Sequence, residues 1–275
     1  MASRCAEPAR SRPAASLVSR TVSSVSSVSS APPASPAQPT DVVFLFDVDN
    51  TLLDNDHILR DLRGHLSGAF GPECERRYWA IFEELRAQLG YADYLGALQR
   101  FRLENQREPG LLEVSLWLTD YPFANRLYPG ALDALEHVGR AGPTVILSDG
   151  DVVFQPRKVF RAGLWEAVSG RVLIYLHKED MLDDVAARYP ARHHVMVDDK
   201  LRILTAMKAQ WGDRLTTVFP RQGHYALDPA ELARYPAPDL TIEHIGDLVE
   251  YDVDTLVGAS RYSPAVTRSS TAAPP

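Results

Sequence analysis

Asp47 and Asp49 follow directly on an apolar run at residues 42–46, and Thr51 closes the group. Side chains at i and i+2 of an extended chain point the same way, so one backbone element presents both acids to one reacting group. Two carboxylates that close repel, and ionising both is costly unless a cation is bound or one keeps its proton. Both solutions suit phosphoryl transfer. An ionised Asp47 beside a divalent cation serves as nucleophile; a protonated Asp49 serves as general acid for the leaving group and later as base for water. Thr51 is expected to fix the turn through nearby backbone and is counted with the phosphate-binding residues.

Three further segments repeat the design of an apolar run ending in chemistry. Residues 143–147 run into Ser148, whose hydroxyl suits a phosphoryl oxygen. Residues 171–176 run into His177 and Lys178, and a lysine there can hold phosphate and aspartate together. Residues 194–197 run into Asp198 and Asp199. Taken singly, Ser148 fits an ordinary Ser-Asp-Gly turn and Lys178 a solvated surface group. Adjacent aspartates at a buried strand end are harder to explain without a cation. Oxygen-only ligation at a site that also accepts phosphate points to Mg²⁺ in preference to Zn²⁺, and two cysteines, Cys5 and Cys74, offer no zinc framework.

With these four segments in order, the chain resembles the haloacid dehalogenase-superfamily phosphohydrolases over roughly residues 41–220. The resemblance implies that Asp47 forms an aspartyl-phosphate and ligates Mg²⁺. Asp49 is then acid and base and ligates through its backbone carbonyl. Asp199 is a direct or water-mediated ligand with Asp198 in support, and Ser148 and Lys178 grip the phosphoryl group. Lys158 is a rival to Lys178, ranked lower because the helix after the second motif is expected to carry it out of the crevice. Lys200 is expected to lie harmlessly on the following helix. The acid at position 49 fits phosphate-ester hydrolysis and argues against dehalogenase chemistry.

The elements that must position these residues follow from pattern. Apolar runs flanked by polar residues read as strands buried on both faces, with a fifth over 215–220 and a sixth over 239–243. The spacing predicts helices over 58–70, 74–89, 91–107 and 111–118, with breaks at Gly71-Pro72, Gly90 and Pro109-Gly110, then helices over 131–140, 155–162 and 179–189. The expected architecture is α/β: a Rossmann-like parallel sheet flanked by helices, core 41–54 and 129–259, with an all-helical insert, 55–128, resembling the C1-type cap of many relatives. His57, Arg60, Arg63 and Arg126 near its ends are candidate substrate contacts, each more readily explained as an exposed structural residue. The aromatic residues Tyr78, Trp79, Phe82, Tyr91 and Tyr94 read as helix-packing core. His177 is expected to point away from the crevice, His193-His194 to lie at the far end of a strand, and His224 in a loop.

Composition bounds the rest. No run approaches the roughly 18 apolar residues of a membrane span, and cysteine usage suits the cytoplasm. Residues 1–40, rich in Ser, Ala and Pro, and residues 260–275 are expected to be disordered. The first forty carry four arginines against Glu7, a charge of +3, so the net −7 leaves −10 on the remainder. That charge disfavours nucleic acid as a partner. The expectation is a Mg²⁺-dependent phosphatase of a small phosphorylated metabolite. The alternatives are a phosphotransferase or mutase of the same fold, or a catalytically silent binding module.

Overall fold

The structure is a computed structural model and describes residues 39–260. The expected tails lie outside the described residues except at their inner edges, where Thr40 already belongs to the first strand and Ser260 follows the last helix.

Six parallel strands form one sheet in the order β3-β2-β1-β4-β5-β6. They are β1 Thr40–Phe46, β2 Thr144–Asp149, β3 Val172–Tyr175, β4 Ala191–Val197, β5 Leu215–Pro220 and β6 Leu240–Ile242. Every predicted strand is present, because a parallel strand covered on both faces is written as an unbroken apolar run. The chain steps from β1 outward to β3, then returns to the other side of β1 for β4. Where the strand order reverses, the connections leave in opposite directions and a crevice opens at the carboxyl ends. Asp47 and Asp198 follow the two strands that border this switch point.

Helices cover both faces. In chain order they are α1 Asn55–Phe70, α2 Pro72–Leu89, α3 Tyr94–Glu104, α4 Leu111–Asp120, α5 Ala131–Gly139, α6 Phe154–Arg161, α7 Leu164–Ala167, α8 Leu182–Arg188, α9 Leu201–Trp211, α10 Gly223–Leu227, α11 Pro229–Leu232 and α12 Val253–Ala259. Val43, Leu45, Val145, Leu147 and Met196 pack on one face against Leu182 and Val185 of α8 and Leu204 and Met207 of α9. Phe44, Phe46, Ile146, Val195 and Val197 pack on the other against α5, α6, α7 and α12, and this core continues into α1–α4 through Leu62, Tyr78 and Phe101.

Two neighbouring backbone segments join α1–α4 to the sheet. Leu53 bridges Leu127, Asp54 N–H donates to Arg126 O at 2.7 Å, and Tyr128 N–H to Leu52 O at 3.0 Å. Asp54 then caps α1 by accepting from His57 N–H at 2.8 Å, which satisfies one of the helix's unpaired first-turn donors. The third helix begins at Tyr94, later than its periodicity suggests, because Asp93 caps it by accepting from Gly96 N–H at 2.7 Å. The stretch read as a helix from 179 opens instead as a 3₁₀ turn, Lys178–Asp180, before α8. No helix among the described residues is long and apolar enough to cross a membrane.

Candidate active site

Asp47 leaves the end of β1 buried, 3% exposed, with its backbone N–H donating to Val197 O of β4 at 3.0 Å. Its Oδ1 accepts from Lys178 Nζ at 2.6 Å and from Ser148 Oγ at 3.3 Å. Three distant segments thus meet on one carboxylate oxygen. Burial pushes the Asp47 carboxyl up, but the Lys178 and Lys200 cations and the Lys178 hydrogen bond outweigh it and hold the group below its ordinary value. Asp47 is therefore ionised at neutral pH. Lys178 also stands 2.6 Å from Asp198 Oδ2. Burial opposes its charge, yet Asp198, Asp47 and Asp149 raise its pKa and keep it cationic.

The acids beside it behave differently. Burial pushes Asp198 up to about 6, against the opposing Lys178 charge. Burial likewise drives Asp199 well above the usual carboxylate range, with Asp198 and Asp47 adding to the rise and Lys200 opposing it. The carboxylates of Asp47, Asp198 and Asp199 each bring an oxygen within 4.8 Å of the others. Among the described residues, Asp47 Oδ2 and both oxygens of Asp199 are buried and accept no hydrogen bond. Buried carboxylate oxygens left in that state are costly, and three of them converging fit a hard, oxygen-seeking cation.

The carboxylate of Asp49 does not join this group. It turns toward α6, where Lys158 Nζ donates to Oδ1 at 2.7 Å and Oδ2 at 2.9 Å, and to Asn55 Oδ1 at 3.2 Å. Lys158 therefore lies in the crevice, not outside it. Phe154, Gln155, Lys158 and Val159 form the buried face of α6. That face overhangs the strand ends because the helix starts five residues after β2, and grouping Lys158 with these neighbours by helical phase is the signal that places it. Gln155 was not singled out from sequence. Its Nε2 donates to Ser148 Oγ at 3.0 Å and reaches Asp49 Oδ2 at 3.5 Å, linking the two halves of the site.

Thr51 is fully buried, and its Oγ1 accepts from Asp199 N–H at 3.1 Å while its carbonyl accepts from Gln222 Nε2 at 3.1 Å. It ties the β1 turn to the end of β4 and does not line the cavity. Asp149, another residue not singled out, accepts from Lys178 N–H at 2.7 Å, and burial raises its pKa. Lys200 is not a bystander: it lines the cavity, and Asp199, Asp47 and Asp198 overcome burial to keep it charged.

A cavity of about 740 Å³ opens above these groups, bordered by Asp49, Asp199 and Lys200 below and by Trp79, Phe82 and Tyr94 from α2 and α3. The aromatic residues therefore serve both as packing and as cavity wall, except Tyr78, which is wholly buried and donates to Tyr94 O at 2.9 Å. Of the four candidate contacts on the helical segment, Arg63 reaches the cavity, stacked over Trp79 at 4.3 Å. His57, Arg60 and Arg126 do not line it; Arg126 pairs with Asp61 at 2.8 Å. His177 borders the cavity and does not turn away from it. His224 is the second residue of the short helix α10 and contacts Asp56 at 2.6 Å, while His193 and His194 sit within β4, with contacts to Thr216 Oγ1 and Tyr189 O.

A family model described as haloacid dehalogenase-like hydrolase matches residues 42–210. The chain belongs to that family. A solved haloacid dehalogenase-like hydrolase from Burkholderia xenovorans LB400 is 68% identical, over 79% of this chain and 99% of that one, with a TM-score of 0.76. A family hydrolase from Xanthomonas campestris matches at 18% identity over 82% of this chain and 95% of that one, TM-score 0.55. An L-2-haloacid dehalogenase matches at 18% identity over 78% and 99%, TM-score 0.52. The last two likenesses are of fold. No curated protein matches the chain.

Proposed function

We propose that this hydrolase is a Mg²⁺-dependent phosphatase that cleaves small phosphate monoesters through an aspartyl-phosphate on Asp47. The observation that carries the reading is the division of labour between the two acids of one turn. Asp47 is held ionised with Oδ2 uncommitted, and Asp49 borders the cavity as a second, separately tethered carboxylate. Replacement of a halide from a carbon centre leaves no alkoxide that needs a proton. An ester leaving group does need one, and Asp49, which borders the cavity, would supply it.

In this reading Asp47 attacks phosphorus, forming a P–O bond as the bond to the leaving oxygen breaks, and Asp49, entering the step protonated, gives its proton to that oxygen. Asp49 then takes a proton from water as the water oxygen attacks phosphorus, and the P–O bond to Asp47 breaks to restore the carboxylate. Ser148 and Lys178, already on Asp47 Oδ1, would hold phosphoryl oxygens, and Lys178 keeps the nucleophile charged. Asp47, Asp198 and Asp199 would hold Mg²⁺, with the Asp49 carbonyl as a further ligand; the cation supplies charge neutralisation at the phosphoryl group. The helical segment α1–α4 acts as a cap that excludes water from the cavity.

The test is hydrolysis of p-nitrophenyl phosphate and of L-2-chloropropionate, with Mg²⁺ or with excess chelator, beside Asp47→Asn. Metal-dependent phosphate release that falls at least about 10³-fold in the variant is expected, as for loss of a covalent nucleophile. Chloride release without phosphate release would overturn the reading in favour of a dehalogenase.

A further inference from the structure

Two cations on the cavity wall have no assigned work. Arg63 is spent on Glu75 at 3.1 Å and on the face of Trp79, and Arg202 is paired with Glu179. Lys178 is committed to Asp47 and Asp198, at 2.6 Å from each. Lys200 lines the cavity. Among the described residues its ammonium has no hydrogen-bond acceptor; it sits 5.5 Å from the centroid of the Tyr225 ring.

Arg86 approaches the same tyrosine from the opposite side. It donates to the Tyr225 hydroxyl, and Glu83 stands 3.8 Å away, too far for a hydrogen bond. Most of its donors are therefore uncommitted. One ring thus carries a lysine from the end of β4 on its face and an arginine from α2 at its hydroxyl, and all three residues line the cavity. An ammonium and a half-exposed guanidinium, both with spare donors at the cavity wall, are matched by an anion. The phosphate has its own partners around Asp47, so this anion is a second one.

We infer that the preferred substrate is a phosphate monoester whose leaving group carries a second anionic group, a carboxylate or another phosphate, received by Lys200 and Arg86 beside Tyr225. This rests on the phosphatase reading above, and the test separates the two. Calorimetry in Mg²⁺ with non-hydrolysable probes compares 3-phosphonopropionate and propane-1,3-bisphosphonate with propylphosphonate, whose tail is neutral. One or both dianionic-ended probes should bind at least about tenfold more tightly than propylphosphonate, and whichever does identifies the source of the anion. Lys200→Met and Arg86→Gln should each erode that preference, and Lys200→Arg should retain it; thermal melting checks that each variant is folded.

Equal binding of all three probes, or a preference that survives both substitutions, overturns the inference. Hydrolysis of p-nitrophenyl phosphate is scored on the same preparation. Turnover without probe preference removes the second anion site and leaves the phosphatase; probe preference without turnover of any ester does the reverse.

Discussion

Lys158→Met removes the ammonium that holds Asp49 while keeping most of the apolar stem. The side chain of Lys158 is 0% exposed, and that of Asp49 25%. Stripping one partner from a fully buried ion pair costs about 3–5 kcal/mol, but water in the cavity can rehydrate a quarter-exposed Asp49, which lowers the expected loss to about 1–3 kcal/mol. For a domain of this size that is a fall in melting temperature of about 3–10 °C. Turnover should fall about 10- to 100-fold, because Asp49 loses the tether that aims it and, of the described residues, keeps only the 3.5 Å side-chain hydrogen bond from Gln155. Differential scanning calorimetry and p-nitrophenyl phosphate kinetics on Lys158→Met, Asp49→Asn and the double variant complete a cycle whose coupling energy should exceed about 1 kcal/mol. A variant that melts within a degree of the parent, with coupling near zero, would refute the tether. So would a variant that turns over faster, since Lys158 would then be withholding Asp49 from the reaction.

Three other outcomes are expected. Saturating Mg²⁺ at a hundred times its dissociation constant should stabilise the protein by about 2.7 kcal/mol, and Asp199→Asn should abolish the shift; thermal melts with and without chelator read it directly. Burial holds the His194 pKa below 6.5, so its contribution to stability is intact above that pH and is lost as pH falls below it, when the unfolded chain binds the proton first. Urea midpoints of His194→Gln should accordingly lose less between pH 7.5 and 5.5 than the parent's, by a slope of at most about 1.4 kcal/mol per pH unit. Gly223→Ala should destabilise the loop at the site, since φ is +71° and the added Cβ would stand 2.5 Å from Asn50 Cβ; the readout is a lower melting temperature with weaker ester turnover.

The sheet was legible because strands covered on both faces are apolar without interruption, and because each run stops where chemistry starts. Asp47, Ser148, Lys178 and the Asp198-Asp199 pair could be placed at one end of the sheet for the same reason: a strand end is a fixed address. Residues on helices and turns were harder. Lys158 depends on which face of α6 overhangs the crevice, and Lys200 on the direction of one extended residue before α9; neither is encoded in residue type. The Thr51 hydroxyl is expected on nearby backbone; it does bond backbone, but at Asp199, a partner 148 positions away that no local pattern reveals. The aromatic residues of α2 and α3 were read as packing, and helical periodicity has no means of saying that the same rings also border a cavity.

The two crossings between the sheet and α1–α4 lie side by side, with Asp54 and Arg126 in direct backbone contact. A piece of chain whose entry and exit touch is topologically a cassette: it can be lengthened, traded or deleted without re-threading the strands. In the phosphatase reading, phosphorus chemistry anchored on the strand ends and molecular choice seated partly on the cassette are thereby free to evolve at different speeds.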